Sequence, residues 1–474
     1  MKLPFPTHAS SLQSLAWTSA ALCVVQVSPA AAHSSNQAFV LLLPTGFYVT
    51  SGVLAVVITI GLLAIPRLGR QLHRLPSARF FRVPSLDLAT LVSLGALALL
   101  LFLISVGFWG ARDPLTNPLP LFIWTVWWIG FVIVQALLGD LWRWVNPWSG
   151  LHRLVSGAST EPPPFRLPDA LGCWPGIAGF ALFNFFMLAH PSPDDPAELA
   201  VVVAIYWFVT LVGMLLFGAD AWLSRCECFT MLLRWFAKNS VFGTRDGQLR
   251  LGLPGWKYDN DAGPSISGAL FVIFVLGASS FDGLNETFWW LVFLDVNPLA
   301  YPGRSALIWQ TIGGAIALNI LLVIVFSTCV YAGLRFIAET ARFKEAFCRY
   351  APTILPIAIG YHVAHFLPAF LVNIQYAVAA ASDPWSTGAD YLGLGTFYVT
   401  TGFFNSLDTV RIIYLTQVVA VVAGHVLSLL AAHGVAADLF RDNRRAVVSQ
   451  IPLALFMIAY TFFGLWLLAA PRGA

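Results

Sequence analysis

Apolar runs of about twenty residues, separated by short polar stretches, set the pattern of this chain. They fall at roughly 47–66, 86–108, 119–139, 172–189, 198–218, 265–281, 305–334, 351–380, 411–432 and 449–470. A helix needs about 20 residues to cross the hydrocarbon core of a bilayer, so the pattern predicts about ten membrane-crossing helices. The fold class is therefore all-α, a polytopic transmembrane bundle with residues 33–474 as a single membrane domain. Its longest loop, 219–264, contains Gly243, Gly247, Gly252 and Gly255 and reads as a cytoplasmic connector. Glu161-Pro162-Pro163-Pro164 reads as a stiff turn ahead of the fourth span. No internal repeat stands out, so sequence symmetry gives no support to an inverted-repeat transporter.

Residues 1–32 have the layout of a cleavable signal peptide, the alternative being an uncleaved first span. Lys2 supplies the leading charge, 12–27 a modest apolar stretch, and Ala30-Ala31-Ala32 the small residues a signal peptidase requires before His33. Cleavage after Ala32 would leave His33 with a free α-amine beside its imidazole, a pair able to chelate copper.

Composition narrows the class further. Of 474 residues 58% are hydrophobic and 10% charged, against about 25% charged in soluble domains. A water-soluble enzyme, a disordered chain and a nucleic-acid binder are excluded together. The 18 Trp, 37 Phe and 12 Tyr suit membrane interfaces lined with aromatic rings.

Charge placement gives the orientation. Arginines and lysines gather in five segments: 67–85, 140–171, 219–264, 335–349 and 441–445. Of the remainder, Arg112, Arg304, Arg411 and Arg472 fall on the opposite side and Lys2 in the signal. Positive charge follows the cytoplasmic face, which puts both mature ends outside. No cysteine falls in an external loop, and Cys226-x-Cys228 lacks the second ligand pair of a structural zinc site.

Ionisable groups inside a span are expensive and mark candidate sites. His362 and His365, three residues apart, share one face of the eighth span, and Asn373 and Tyr376 continue it. Pro368 interrupts the same helix. His425 lies in the ninth span, about 12 Å from its cytoplasmic end, against about 16 Å for His362. Three imidazoles from neighbouring helices with an open fourth position would suit a catalytic zinc; the alternative is that they hydrogen-bond neighbouring helices and stabilise packing. Asp282 and Glu286, at the outer end of the sixth span, are candidates for a further ligand or a general base; the alternative is a solvated helix end. Asp140, in the tryptophan-rich run 139–148, is a weaker candidate that an ion pair with Arg143 would explain. There is no P-loop, no Gly-x-Ser-x-Gly elbow and no His-Glu-x-x-His.

Several stretches carry a resemblance. The Ala32-His33 start, Leu138-Gly139-Asp140-Leu141-Trp142-Arg143-Trp144-Val145-Asn146-Pro147-Trp148, Ser280-Phe281-Asp282-Gly283, Tyr361-His362-Val363-Ala364-His365-Phe366, Ser382-Asp383-Pro384 and Gly424-His425-Val426 resemble a bacterial family of polytopic membrane proteins named fenitrothion hydrolase. The resemblance implies hydrolysis of an organothiophosphate triester to a nitrophenol and a dialkyl thiophosphate. Such a substrate is neutral and oily, and reaches a site among helices through the lipid. A metal at the three histidines would polarise the phosphoryl group and activate water, with Asp282 or Glu286 as a further ligand or base. The rival readings are a transporter using the same stripe as a proton or metal-ion relay, and a copper-handling factor built on His33. Nucleic acid is not an expected partner.

Overall fold

The computed structural model describes residues 40, 43–65, 77–82, 88–157, 162–245, 248–258, 263–300, 302–440 and 442–472. The expected signal peptide and His33 lie outside them.

Helices dominate. They are α1 (Thr45–Ala64), α2 (Ala89–Trp109), α3 (Pro118–Leu138), α4 (Ser149–Ser156), α5 (Trp174–Ala189), α6 (Pro196–Phe217), α7 (Cys228–Ala237), α8 (Ile266–Asn285), α9 (Ile308–Phe336), α10 (Leu355–Ser382), α11 (Leu407–Leu439) and α12 (Asn443–Ala469). Among the described residues nine helices are long and apolar enough to cross a membrane. The span expected at 172–189 is the sixteen-residue α5, about 24 Å long at 1.5 Å per residue. Arg225 lies 3.3 Å from Asp169, so the chain leaves and returns to one face between them, and α5 and α6 are the two legs of a hairpin.

Polar residues mark where the helices begin. Asn117 and Asp195 accept hydrogen bonds from the first free amides of α3 and α6, each followed by proline at the first helical position. Ser265 caps α8 and Asp442 caps α12 in the same way.

The five arginine-rich segments meet on one face of the bundle. β1 (Ser77–Arg82), from the first, pairs antiparallel with β3 (Gln248–Gly252) in the third, with Ser77 opposite Gly252. β2 (Phe242–Arg245) flanks β3 on its other side. Arg349 reaches Asp438 at 3.4 Å and Arg445 reaches Glu339 at 2.7 Å. This small sheet and the buried helix α7 replace the polar connector expected at 219–264. The reason lies in composition: Phe229, Met231, Leu232, Leu233 and Phe236 are too few to span a membrane, and they pack beneath the long helices.

Two glycines set a close crossing of α10 and α11. A methyl group on Gly360 of α10 would run into the backbone carbonyl of Ala420 in α11, and one on Gly424 into that of Pro356. Backbone lies on backbone there, the close approach that small residues permit between membrane helices.

Candidate functional site

The central polar contact joins α8 to α10. His365 Nε2 stands 3.2 Å from Asp282 Oδ2, and both side chains are about nine-tenths buried, at 8% and 10% exposure. The sequence puts Asp282 at the outer end of its span and the histidines deeper, but two features bring them level. α8 runs to Asn285, four residues beyond the expected end, so Asp282 lies inside the helix. Gly263 packs on the backbone of Cys348, which sets the register of the two strands of chain. Nineteen residues on from Gly263 and seventeen on from Cys348 are about 28 and about 26 Å at the α-helical rise of 1.5 Å per residue. α8 passes through Gly283 without a break.

Gly283 has another task. Tyr361 Oη occupies the space any side chain at 283 would need. The Tyr361 ring stacks on His365 with centroids 5.7 Å apart and planes 17° from parallel. Ser280 and Tyr460 share a hydroxyl–hydroxyl hydrogen bond beside this group. Among the described residues, His365 Nδ1 and Tyr361 Oη are both buried without a hydrogen-bond partner. An imidazole with one nitrogen on a carboxylate and a free lone pair on the other is arranged to take a proton.

The other candidates lie elsewhere. His362 donates from Nε2 to the Trp128 carbonyl at 2.9 Å and meets the Trp128 and Phe366 rings edge-on. That carbonyl is available where the π-helical stretch Leu121–Phe131 reverts to α at Val132. His425 donates from Nδ1 to the Val421 carbonyl in its own helix at 2.9 Å, and its ring faces Tyr460 at 6.3 Å. The expected three-histidine centre is therefore not assembled: two of the rings are committed to carbonyls and the third to Asp282. Among the described residues no three His, Cys, Asp or Glu side chains form a group able to hold a metal ion.

Glu286, one turn outward from Asp282, pairs with Arg472 at 3.6 Å rather than with a histidine. Asn373 and Tyr376 are half-buried on the outer half of α10, and neither makes a side-chain hydrogen bond among the described residues. Asp140 accepts from the Gln135 amide at 3.0 Å, while Arg143 lies over the Trp144 ring instead of pairing with it. Asp383 caps the loop after α10: backbone N–H groups of Thr387 and Gly388 hold its carboxyl below the usual carboxylate range.

Pro368 and Gln417 form a pair that the spacing of residues does not reveal. Proline lacks the N–H that would reach the carbonyl of Ala364, four residues back. Gln417 of α11 supplies it from Nε2, at 2.6 Å. Gln417→Leu leaves this carbonyl unpaired, and the expected loss is about 1–3 kcal/mol. Adding Pro368→Ala restores the N–H and recovers most of it. Thermal midpoints of the two single variants and the double variant in one detergent check this; equal midpoints for Gln417→Leu with and without Pro368→Ala would refute it.

No protein-family model, no curated protein and no solved structure matches the chain.

Proposed function

We propose that the chain is a multi-pass membrane hydrolase of neutral, oily phosphorus triesters, with Asp282 and His365 as its base. The reading rests on one observation: a buried carboxylate–imidazole pair whose second nitrogen has no partner among the described residues. The reaction comes from the resemblance. In this reading Asp282 holds the Nε2–H of His365 and fixes the tautomer, so Nδ1 carries the lone pair. Nδ1 takes a proton from water as the oxygen bonds to phosphorus. The phosphorus–aryl oxygen bond breaks, and a nitrophenolate departs without protonation. The proton then sits on His365 beside the Asp282 carboxylate, which offsets its charge. The donor geometry does not suit a tri-histidine metal.

Location is part of the same proposal. The arginine-rich face is taken as cytoplasmic in a bacterial inner membrane, by the positive-inside rule. The dyad, near the far end of α8, then lies in the outer half of the bilayer, into which oily substrates partition.

Proton relay is the second reading. It is favoured by the outward step from the buried Asp282 to Glu286, whose side chain is 44% exposed and paired with Arg472. One preparation separates the two. Purified protein in lipid nanodiscs is given fenitrothion in ¹⁸O-water, and the same protein in vesicles is followed with a pH-sensitive dye. The hydrolase reading expects nitrophenolate release with ¹⁸O in the thiophosphate product. Proton flux without release from folded protein would overturn it in favour of the relay.

A further inference from the structure

The tryptophan-rich run that the dyad does not use lines a second site. On the arginine-rich face, residues of 142–153 and of the helix pair 219–237 enclose a pocket of about 260 Å³. Its floor is rigid and buried: Trp142 Nε1 donates to Thr230 Oγ1 at 2.8 Å, and Asn146 is held by its neighbours' backbone. Its rim carries Arg143, Arg153, Arg234 and His152 against one carboxylate, Asp220. Among the described residues none of the three guanidiniums has a carboxylate partner. Three unpaired forks around one cavity match the oxygens of a phosphate group.

We infer that this pocket binds a phosphate-bearing anion, of the kind carried by an anionic phospholipid headgroup. The rim helix α4 argues for lipid as the source. His152 and Arg153 line the pocket, while Leu154 and Val155, next in sequence, are 59% and 61% exposed. Such a helix places apolar side chains in the acyl boundary and cations at headgroup level. Basic pockets beside membrane helices bind anionic headgroups in this way. The site is separate from the Asp282–His365 pair and does not depend on how that pair is read.

The test uses full-length protein and the triple variant Arg143→Gln/Arg153→Gln/Arg234→Gln. These side chains lie at the rim, away from the packed core. Arg112→Gln, on the opposite face, is the control. Native mass spectrometry counts phosphatidylglycerol or phosphatidylcholine retained from mixed micelles, and inorganic phosphate is titrated separately by thermal shift. Retention of phosphatidylglycerol over phosphatidylcholine is expected, weakened about fivefold for each arginine removed and about a hundredfold for all three. The control keeps the parent's retention. Thermal protection by inorganic phosphate, lost in the triple variant, supports the site with a soluble anion as the source. If neither lipid nor phosphate distinguishes parent from triple variant, the proposal falls.

Discussion

Gly424→Val yields little folded protein, and Gly360→Val the same. Each glycine lies against a backbone carbonyl of the facing helix, and an added branched side chain has no rotamer that avoids it. A flexible side-chain neighbour would yield; a helix backbone does not, so α10 and α11 must move apart. Overpacking costs about 1–3 kcal/mol where side chains can adjust, and this crossing belongs at or above the upper end. The same movement separates Gln417 from the Ala364 carbonyl and unseats His425, which neighbours Gly424. Gly61 and Gly313 supply the control, because no described residue lies within 4 Å of a Cβ placed at either. Gly61→Ala and Gly313→Ala therefore keep the parent's thermal midpoint and elution profile in detergent. A Gly424→Val protein that elutes and melts like the parent would show that the crossing is looser than described.

His365→Gln and Asp282→Asn each lower triester hydrolysis by about 10²–10⁴-fold while leaving the folded protein recoverable. The size follows from losing a positioned general base. Removing His365 removes the acceptor itself. Asp282→Asn acts indirectly: an amide N–H facing Nε2 draws the lone pair there and sends the proton to Nδ1. The imidazole then offers a donor where an acceptor is needed. His362→Gln is the informative contrast, since His362 is committed to the Trp128 carbonyl. It is expected to reduce thermal stability and to leave the rate per folded molecule within a few-fold of the parent. Loss of rate with His362→Gln equal to that with His365→Gln would argue against the assignment of roles.

Much of the architecture was legible because bilayer thickness imposes a length on each apolar run. The alternation of arginine-rich loops was legible for a similar reason, and the contacts among those five segments place them on one face. The sheet was not, because its strands are four to six residues long and lie in charged loops. Asp246 and Gly247 between β2 and β3, a pair favoured in tight hairpins, were the available signal. His365 and Asp282 were both marked as candidates by their cost inside a span, but their pairing depended on register. Depth counted from expected helix ends misses it, since α8 continues past Asp282 and Gly263 packs on Cys348. Tyr361 is an aromatic residue in an apolar helix, which says nothing of its neighbours, and the small residue Gly283 that admits it gives no hint of its partner. Tyr460 and Arg472 carried no signal, being a lone tyrosine in an apolar helix and an arginine near the end of the chain. Spacing also overstated the histidines: a shared helical face does not say which neighbour each ring meets, and His362 and His365 meet different helices.

The most direct measurement compares nitrophenolate release by parent, His365→Gln, Asp282→Asn and the double variant, each normalised to folded protein. If the two residues act as one base, the double variant is no slower than the slower single variant, since removing either member already disables the pair. Losses that multiply would show two independent contributions and contradict the dyad, and release at the parent's rate by all four would place the chemistry elsewhere.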